Sequence, residues 1–332
     1  MKICLLDPGL QQHSGELSAN LGDLIIQESV KRELTSLFPE HEIIQLSTHA
    51  PLGKEELAVI NQCSLVFVGG SNLLSSYMDK YKQWDISLWD AVKIRKAILL
   101  GAGWWEYQGE LNRYTKALLK ILMSRGMLHS VRDGYTQAKL QSISVKGFPV
   151  GIQNVLNTGC PTMWPLMNMN LAEFSTQKAE NALLMLTDYR KVPELDRQLL
   201  ELLFEKYENV YFWWQGRGDE AYIRELDFPV KLIEHSLPAL DAFIHSGISF
   251  DYIGTRLHGG IRCLQSNQRS LVIEVDNRAK EIAQDTNLQT AARDDFNYIR
   301  QWIDGSPVPQ IKLNSEAINQ WRGQFESLAK VA

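Results

Sequence analysis

The chain has few cysteines, no long apolar run and no excess of basic residues. Its four cysteines, Cys4, Cys63, Cys160 and Cys263, lie far apart and form no CxxC pair, which excludes a disulfide framework and a cysteine zinc site. No stretch approaches the ~18 apolar residues of a membrane span, and the apolar start is too short for a signal peptide. A net charge of −5 argues against a general nucleic-acid binder, which needs a basic face. The sequence therefore predicts a cytoplasmic protein without a membrane span or a nucleic-acid partner.

The sequence also lacks the two common glycine-rich phosphate motifs. Gly69-Gly70 and Gly101-Ala102-Gly103 each follow an apolar, strand-like run, but neither continues as GxGxxG. A GxxxxGK[ST] loop is missing as well. These absences argue against an NAD enzyme and against a P-loop ATPase.

Short apolar runs alternate with helical patterns along the chain. This alternation predicts parallel sheets covered by helices, and a length of 332 residues favours two domains. Strands are predicted over residues 2–7, 42–46, 64–68, 96–100, 128–131, 181–187, 210–214, 230–234, 248–253 and 270–275. Helices are predicted after the loop of residues 8–20 and over residues 112–125, 193–207, 237–245 and 315–330.

The two sets of strands and helices are of similar size and follow one another along the chain. We predict a first domain over residues 1–165 and a second over residues 178–314, joined by an aperiodic linker. The last helix, within residues 315–332, is predicted to pack back on the first domain. The predicted fold class is α/β, with two Rossmann-like domains facing each other across a cleft. Ligands of such sheets bind beyond the carboxyl ends of the strands.

A short polar, glycine-rich segment follows one predicted strand. Arg256 and His258 are two positions apart, and in an extended segment such side chains point to the same side. Gly259 and Gly260 would let the backbone approach a ligand, and the run from Ile261 has the pattern of a helix start, which carries partial positive charge. Together these groups indicate a site for a small, multiply charged anion beside a proton donor. The alternative is an arginine paired with a surface carboxylate and a histidine that caps a turn.

Other strand ends carry polar or aromatic residues with two interpretations each. Asp23 either caps the first helix or binds a ligand, and Arg132 is either a ligand-binding cation or half of a surface ion pair. Asp276 is predicted to cap the helix that follows it, with Lys280 as its partner one turn later. Trp105 either stacks on a sugar or fills a domain interface. Further glycine and polar positions are Asn20 and Gly22, between the first long loop and the first helix, and Gly70, Ser71 and Asn72, after a predicted strand.

Taken in order, five segments resemble the polysaccharide pyruvyl transferase family. They are Asn20-x-Gly22-Asp23, Gly69-Gly70, Val131-Arg132-Asp133, Arg256-Leu257-His258-Gly259, and Val275-Asp276 with Lys280. The resemblance implies the two-domain arrangement of the GT-B glycosyltransferases. It also implies transfer of an enolpyruvyl-derived group from phosphoenolpyruvate to two hydroxyls of one sugar, giving a pyruvate ketal and phosphate. Phosphoenolpyruvate is the donor substrate, and neither a cofactor nor a metal is implied.

The implied reaction needs cations for the carboxylate and phosphate of phosphoenolpyruvate, and an acid for its methylene carbon. Arg256 and Arg132 are the candidate cations, and His258 is the candidate acid. His258 and Arg256 are therefore the predicted catalytic residues. The predicted substrate-binding residues are Arg132, Gly259, Asn20, Gly22, Asp23, Gly70, Ser71, Asn72, Trp105, Asp276 and Lys280.

The sugar acceptor, part of a polysaccharide or its precursor, is expected at the first domain and the donor at the second. A lipid-linked acceptor would bring the enzyme to a membrane surface. Two alternatives stay open: a GT-B glycosyltransferase that uses a nucleotide sugar, and a non-catalytic carbohydrate-binding protein of the same fold. The spacing of Glu274 and Glu281 does not fit the glutamate pair often found in such glycosyltransferases, and the presence of both Arg256 and His258 speaks against the non-catalytic protein.

Overall fold

The computed structural model describes residues 1–145, 148–149, 151–170 and 173–329, which form two compact units. Unit 1 combines Met1–Ser18, Ile26–Trp164 and the segment from Leu313 onward, and unit 2 combines Ala19–Ile25 with Pro165–Lys312. The predicted α/β class with parallel sheets is confirmed. The predicted linker includes residues 171–172, which lie outside the described residues.

Strands and helices alternate along most of the chain. The strands are β1 Lys2–Asp7, β2 Glu42–Ser47, β3 Leu65–Gly69, β4 Ala97–Leu100, β5 His129–Val131, β6 Ser144–Val145, β7 Phe148–Pro149, β8 Val155–Asn157, β9 Asn181–Met185, β10 Asn209–Trp213, β11 Lys231–Ile233, β12 Phe250–Gly254, β13 Ser270–Glu274 and β14 Thr290–Ala292. The helices are α1 Leu21–Leu37, α2 Lys54–Gln62, α3 Leu88–Ile94, α4 Arg113–Leu122, α5 Gly134–Gln141, α6 Pro193–Lys206, α7 Arg217–Leu226, α8 Leu237–Ile244, α9 Leu257–Gln265, α10 Asn277–Thr286, α11 Phe296–Asp304, α12 Ser315–Gly323 and α13 Glu326–Ala329.

Within its described residues, unit 1 contains a four-stranded parallel sheet of order β2-β1-β3-β4. The central strands β1 and β3 are buried on both faces, which is why their sequences are continuous apolar runs without alternation. A separate parallel pair, β5 with β8, continues the unit beyond β4.

The C-terminal helix α12 packs on unit 1. The ring of Trp321 is fully buried and lies 6.1 Å from Phe67 on β3 and 5.9 Å from Trp164. Helix α12 ends at Gly323, before the end predicted from the sequence, and a short helix resumes at Glu326. Lys330, the predicted end of that helix, lies outside the described residues.

The described part of unit 2 contains a six-stranded parallel sheet of order β11-β10-β9-β12-β13-β14. Every residue of β9 and β12 is buried, so these two strands form the centre of the unit. Because the strands are parallel, the carboxyl ends of β10, β9, β12 and β13 are consecutive along one edge of the sheet. The loops and helix starts that follow these four strands carry most of the polar residues described next.

Candidate functional site

Arg256 lies at the N-cap position of α9, directly beyond the end of β12. Only 4% of its surface is exposed. Its Nε donates to Oδ2 of Asp219 at 2.9 Å, and its Nη2 donates to Oδ1 of the same carboxylate. Its third nitrogen, Nη1, donates to none of the residues that the structure describes. The guanidinium is therefore fixed in one plane by its bonds through Nε and Nη2.

Asp219 joins three of the four strand ends. Besides Arg256 it accepts the backbone N–H groups of Gln215 and Gly216 after β10, at 3.1 and 2.9 Å, and that of Asp188 after β9, at 3.0 Å. Burial raises the pKa of Asp219, and the positive charge of Arg256 opposes this shift. The carboxylate thus holds the arginine and the two neighbouring loops in a common position.

His258 lies in the first turn of α9 and is 5% exposed. The sequence analysis placed the helix start near Ile261, which is wrong: α9 already begins at Leu257. Residues two apart in a helix point about 200° apart around the axis. The expectation that Arg256 and His258 point to the same side as in a strand therefore does not apply, and they adjoin as N-cap residue and first-turn residue.

The two glycines of α9 serve helix packing. A Cβ atom at Gly259 would come within 2.3 Å of Sδ of Met185 on β9, and one at Gly260 within 2.4 Å of the ring of Tyr252 on β12. The space beside both glycines is therefore occupied by the sheet, where the sequence analysis expected close approach of a ligand. Their absence of side chains lets α9 begin close to the strand ends.

A second arginine beside Arg256 was missed by the sequence analysis. Arg278 on α10 donates from Nε to Asp276 at 3.0 Å, and its Nη2 donates to Asp276 and to the hydroxyl of Tyr189. The Tyr189 ring centroid lies 5.1 Å from the guanidinium carbon of Arg256 and 5.8 Å from that of Arg278. Tyr189 therefore links the two arginines, and Nη1 of Arg278 likewise donates to no described residue.

Asp276 caps α10, as predicted, by accepting the backbone N–H of Arg278 at 3.0 Å. Its predicted partner was wrong, because the carboxylate pairs with Arg278, while Lys280 is exposed on the same helix. The side chain of Arg278 reaches back to Asp276 from two residues away, which a one-turn helical spacing rule does not anticipate.

The segment Ala19–Ile25 groups with unit 2, although the sequence analysis expected it in the first domain. Asn20 caps α1, because its Oδ1 accepts the N–H of Gly22 at 3.2 Å. Its Nδ2 donates to Oδ2 of Asp23 at 3.0 Å. Gln215 holds this turn, because its carbonyl accepts the N–H of Leu21 at 2.9 Å and its Nε2 donates to Oδ1 of Asn20 at 3.2 Å.

The remaining predicted residues lie in unit 1, at the ends of β3, β4 and β5. Arg132 is 1% exposed and donates from Nε to Asp133 at 2.9 Å, from Nη2 to the carbonyl of Trp104 at 2.9 Å, and from Nη1 to Oδ1 of Asn72. The structure therefore shows Arg132 holding other protein groups. Trp105 is half-buried, and its ring lies 4.8 Å from that of the exposed Tyr81.

Gly70 and Ser71 form the tight turn after β3. Both have positive φ, 46° and 62°, a region that costs a serine more than a glycine. Gly70 donates to the carbonyl of Leu100 at 2.8 Å, and the carbonyl of Ser71 accepts from Gly103 at 2.9 Å. The turn thereby positions Asn72 for its contact with Arg132.

Four residues of the site were not predicted from the sequence: Asp219, Gln215, Tyr189 and Arg278. Gln215 directly follows the predicted strand 210–214, and Tyr189 is the second residue after the predicted strand 181–187, so the position beyond a strand end was a usable signal for both. Asp219 and Arg278 each lie in the first turn of a helix, where only the folded chain shows that they face Arg256 and Tyr189.

Two negative findings concern the whole described chain. Among the described residues, no three His, Cys, Asp or Glu side chains are grouped so as to hold a metal ion. In the same residues, every helix is too short or too polar to span a membrane.

Comparison with known proteins gives the family. No curated protein matches the chain. Among solved structures, UDP-GlcNAc 2-epimerase of Methanocaldococcus jannaschii, in complex with UDP-GlcNAc and UDP, is similar with a TM-score of 0.49 and 10% identity, over 100% of this chain and 99% of that one. UDP-GlcNAc 2-epimerase of Neisseria meningitidis, bound to UDP-GlcNAc, has a TM-score of 0.43 and 12% identity, over 100% and 95% of the two chains. The sequence profile of polysaccharide pyruvyl transferases matches residues 20–277, and since that is well over half of the 332 residues, the chain belongs to the polysaccharide pyruvyl transferase family.

Proposed function

We propose that this protein transfers an enolpyruvyl-derived group from phosphoenolpyruvate to two hydroxyls of one sugar, in a polysaccharide or its precursor. The products are a cyclic pyruvate ketal and phosphate. Family membership supports a pyruvyl transferase. The observation that carries the choice of donor is the pair of arginines at the carboxyl edge of the unit 2 sheet.

Phosphoenolpyruvate carries a carboxylate and a phosphate on adjacent positions of a small molecule. Arg256 and Arg278 flank one tyrosine ring, and each is fixed by its own carboxylate through Nε and Nη2. Nη1 of each arginine donates to no described residue and is therefore available to a ligand. Fixed guanidinium groups bind such anions without reorganising. Lys280, two residues beyond Arg278 on α10, is exposed and adds positive charge to this helix.

His258 is the proposed acid and base of the first step. The hydroxyl oxygen of the sugar bonds to C2 of phosphoenolpyruvate, while the double-bond electrons take a proton from the imidazolium of His258 onto C3. The proton of that hydroxyl then passes to His258, which restores its charge. Histidine suits this exchange because its ordinary pKa lies near neutrality.

In the second step the bond between C2 and the phosphate oxygen breaks, and phosphate leaves with the electron pair. The oxygen of the second sugar hydroxyl bonds to C2, and its proton goes to the phosphate. Arg256 and Arg278 stabilise the leaving dianion. The proposal includes neither a metal nor an organic cofactor.

The test is incubation of the full chain with phosphoenolpyruvate and a panel of methyl glycosides, with phosphate release and the mass of the glycoside as readouts. Phosphate release together with a glycoside that gains the mass of a pyruvate ketal is the expected result. Parallel incubations contain UDP-sugars in place of phosphoenolpyruvate. Glycosyl transfer from a UDP-sugar without any reaction of phosphoenolpyruvate would overturn the proposal, as would glycan binding without turnover of either donor.

A further inference from the structure

Gln215, the second residue after β10, has one buried side-chain oxygen without a partner among the described residues. The residue is 4% exposed, and its Oε1 accepts no hydrogen bond from the residues that the structure describes. Buried polar atoms are nearly always paired with protein, water or ligand. A Cβ atom at Gly259 would lie 3.6 Å from this oxygen. Oε1 therefore lies against the first turn of α9, at the residue that follows His258.

The orientation of the Gln215 amide is fixed by its neighbours. Oδ1 of Asn20 accepts the backbone N–H of Gly22 at 3.2 Å, and Nδ2 of Asn20 donates to the carboxylate of Asp23 at 3.0 Å. The oxygen of the Asn20 amide therefore faces Gln215 and accepts its Nε2 at 3.2 Å. A flipped Gln215 would place two oxygens against each other. Oε1 is thus the atom directed toward α9.

The backbone of Gln215 is held equally firmly. Its N–H donates to Asp219 at 3.1 Å, and its carbonyl accepts the N–H of Leu21 at 2.9 Å. The backbone position is therefore fixed, and the bond from Nε2 to Asn20 keeps Oε1 directed toward α9. The partner of this oxygen must be a hydrogen-bond donor that enters beside α9.

The two substrates of the proposed reaction differ in what they can donate. Above pH 7 phosphoenolpyruvate is almost entirely deprotonated, because a phosphate monoester loses its last proton near pH 6, so it offers acceptors only. The hydroxyls of a sugar are donors. We propose that Oε1 of Gln215 accepts a hydrogen bond from a hydroxyl of the acceptor sugar, and that the acceptor lies in unit 2 against Gln215 and the Asn20–Asp23 turn.

This inference rests on the proposed function and changes one sequence-based expectation. The sequence analysis expected the acceptor at the first domain, with Asn20, Gly22 and Asp23 among its ligands. In the structure these three residues belong to unit 2 and are bonded to Gln215 or to each other. Gln215 is then a substrate-binding residue on the acceptor side of His258.

The experiment couples Gln215 to one hydroxyl of the acceptor. Wild type and Gln215→Met are assayed with the methyl glycoside that supports phosphate release and with each of its monodeoxy derivatives. In wild type, removal of one particular hydroxyl should lower kcat/KM about tenfold, the order expected for one hydrogen bond. In Gln215→Met the same removal should have almost no effect, and KM for phosphoenolpyruvate should change less than about twofold.

Two further variants separate binding from folding. Gln215→Glu keeps an acceptor oxygen at the same position, so it should retain the sensitivity to that hydroxyl that Gln215→Met loses. Its melting temperature is measured beside those of wild type and Gln215→Met, because a carboxylate oxygen would lie against Oδ1 of Asn20. Gln268→Met is the matched control, because Gln268 is half-buried in the same unit and donates to the carbonyl of Ser266 at 3.3 Å. It should respond to every deoxy derivative as wild type does.

Equal losses on deoxygenation in wild type and Gln215→Met would overturn the inference and indicate that Oε1 binds a structural water only. If no glycoside supports phosphate release, the proposed function is wrong, and the same comparison is made by equilibrium binding of the methyl glycosides. Coupling between Gln215 and one hydroxyl in binding would support the inference on its own. Absence of glycoside binding would overturn it together with the proposed function.

Discussion

Arg256 and Arg278 are held in the same way by different carboxylates. Nε and Nη2 form the two-point contact with Asp219 or Asp276, which leaves Nη1 at the opposite corner of each guanidinium. Arg256 is almost fully buried, whereas the side chain of Arg278 is 19% exposed. Replacement of Arg256 would leave the buried carboxylate of Asp219 without its cationic partner. Arg278 is therefore the better position at which to test anion binding without loss of the fold.

Arg278→Lys should raise KM for phosphoenolpyruvate by roughly 5- to 100-fold, because lysine keeps the charge but loses the planar contact with Asp276. The measurement is steady-state phosphate release at saturating acceptor. Arg224→Lys is the control, since Arg224 pairs with Glu220 on the exposed side of α7. An unchanged KM in Arg278→Lys would show that Arg278 does not bind the donor.

His258→Asn should lower kcat by about 10²- to 10⁴-fold, the usual contribution of a general acid. Asparagine is close in size, so the melting temperature should stay near that of wild type. His245→Asn serves as the matched control, because His245 is an exposed histidine at the end of α8 in the same unit. A loss of less than tenfold in His258→Asn would contradict its assignment as the acid.

At the scale of elements, the apolar strands were the most predictable part of the fold. The predicted strand over residues 2–7 is β1, and the central strands of both sheets were found within two residues of their ends, since buried parallel strands are continuous apolar runs. The start of α9 was misplaced because Gly259 and Gly260 disfavour a helix by propensity. Packing of both glycines against Met185 and Tyr252 outweighs that preference.

Strand β5 carries a buried histidine whose protonation opposes folding. His129 accepts the backbone N–H of Leu99 at Nδ1, 3.3 Å away, and its Nε2 lies 2.9 Å from the carbonyl of Ser124. Burial lowers the pKa of His129 to about 4, whereas an unfolded histidine titrates near pH ~6.5. Between these values the unfolded chain binds more protons, so the stabilising contribution is complete above pH ~6.5 and is lost as the pH falls toward 4.

We therefore expect the titration of His129 to lower the free energy of unfolding by about 2 kcal/mol as the pH falls from 7 to 5. Urea unfolding of wild type and His129→Gln at both pH values measures it, and the difference between the two proteins should shrink at pH 5. The raised pKa values of Asp219 and Asp251, caused by burial, act in the opposite direction but are common to both proteins. The same difference at both pH values would contradict the prediction.

At the scale of the whole molecule, the alternation of strand and helix patterns predicted two α/β units. It did not predict which segments of the chain belong to each unit. The bond from Leu21 to the carbonyl of Gln215 and the bidentate contact of Arg322 with Glu33 each join residues far apart in sequence. Local patterns carry no information about such partners, which is why the place of the Asn20–Asp23 turn was not predicted. The motif order identified the family, while the partners of each site residue required the folded chain.

Trp321→Ala should lower the free energy of unfolding of unit 1 by about 3–5 kcal/mol, the range for loss of a buried aromatic side chain. Trp321 is fully buried against Phe67, Trp164 and Phe325. Urea unfolding followed by circular dichroism is the measurement. Trp89→Ala, at a tryptophan that is 76% exposed on α3, should change it by no more than about 0.5 kcal/mol. A similar small effect at Trp321 would mean that α12 contributes little to unit 1.

The return of α12 to unit 1 has a consequence for the newly made polypeptide. A ribosome synthesises Phe67 and Trp164 long before it reaches Trp321 and Phe325, whose rings cover them. At ~5–20 residues per second, all of unit 2 must be translated in between, which takes on the order of ten seconds or more. During that interval the ring of Phe67 on β3 is not covered by Trp321 and Phe325. It can then contact a chaperone or a neighbouring nascent chain. Most of unit 1 is therefore synthesised before unit 2, but unit 1 is completed after it.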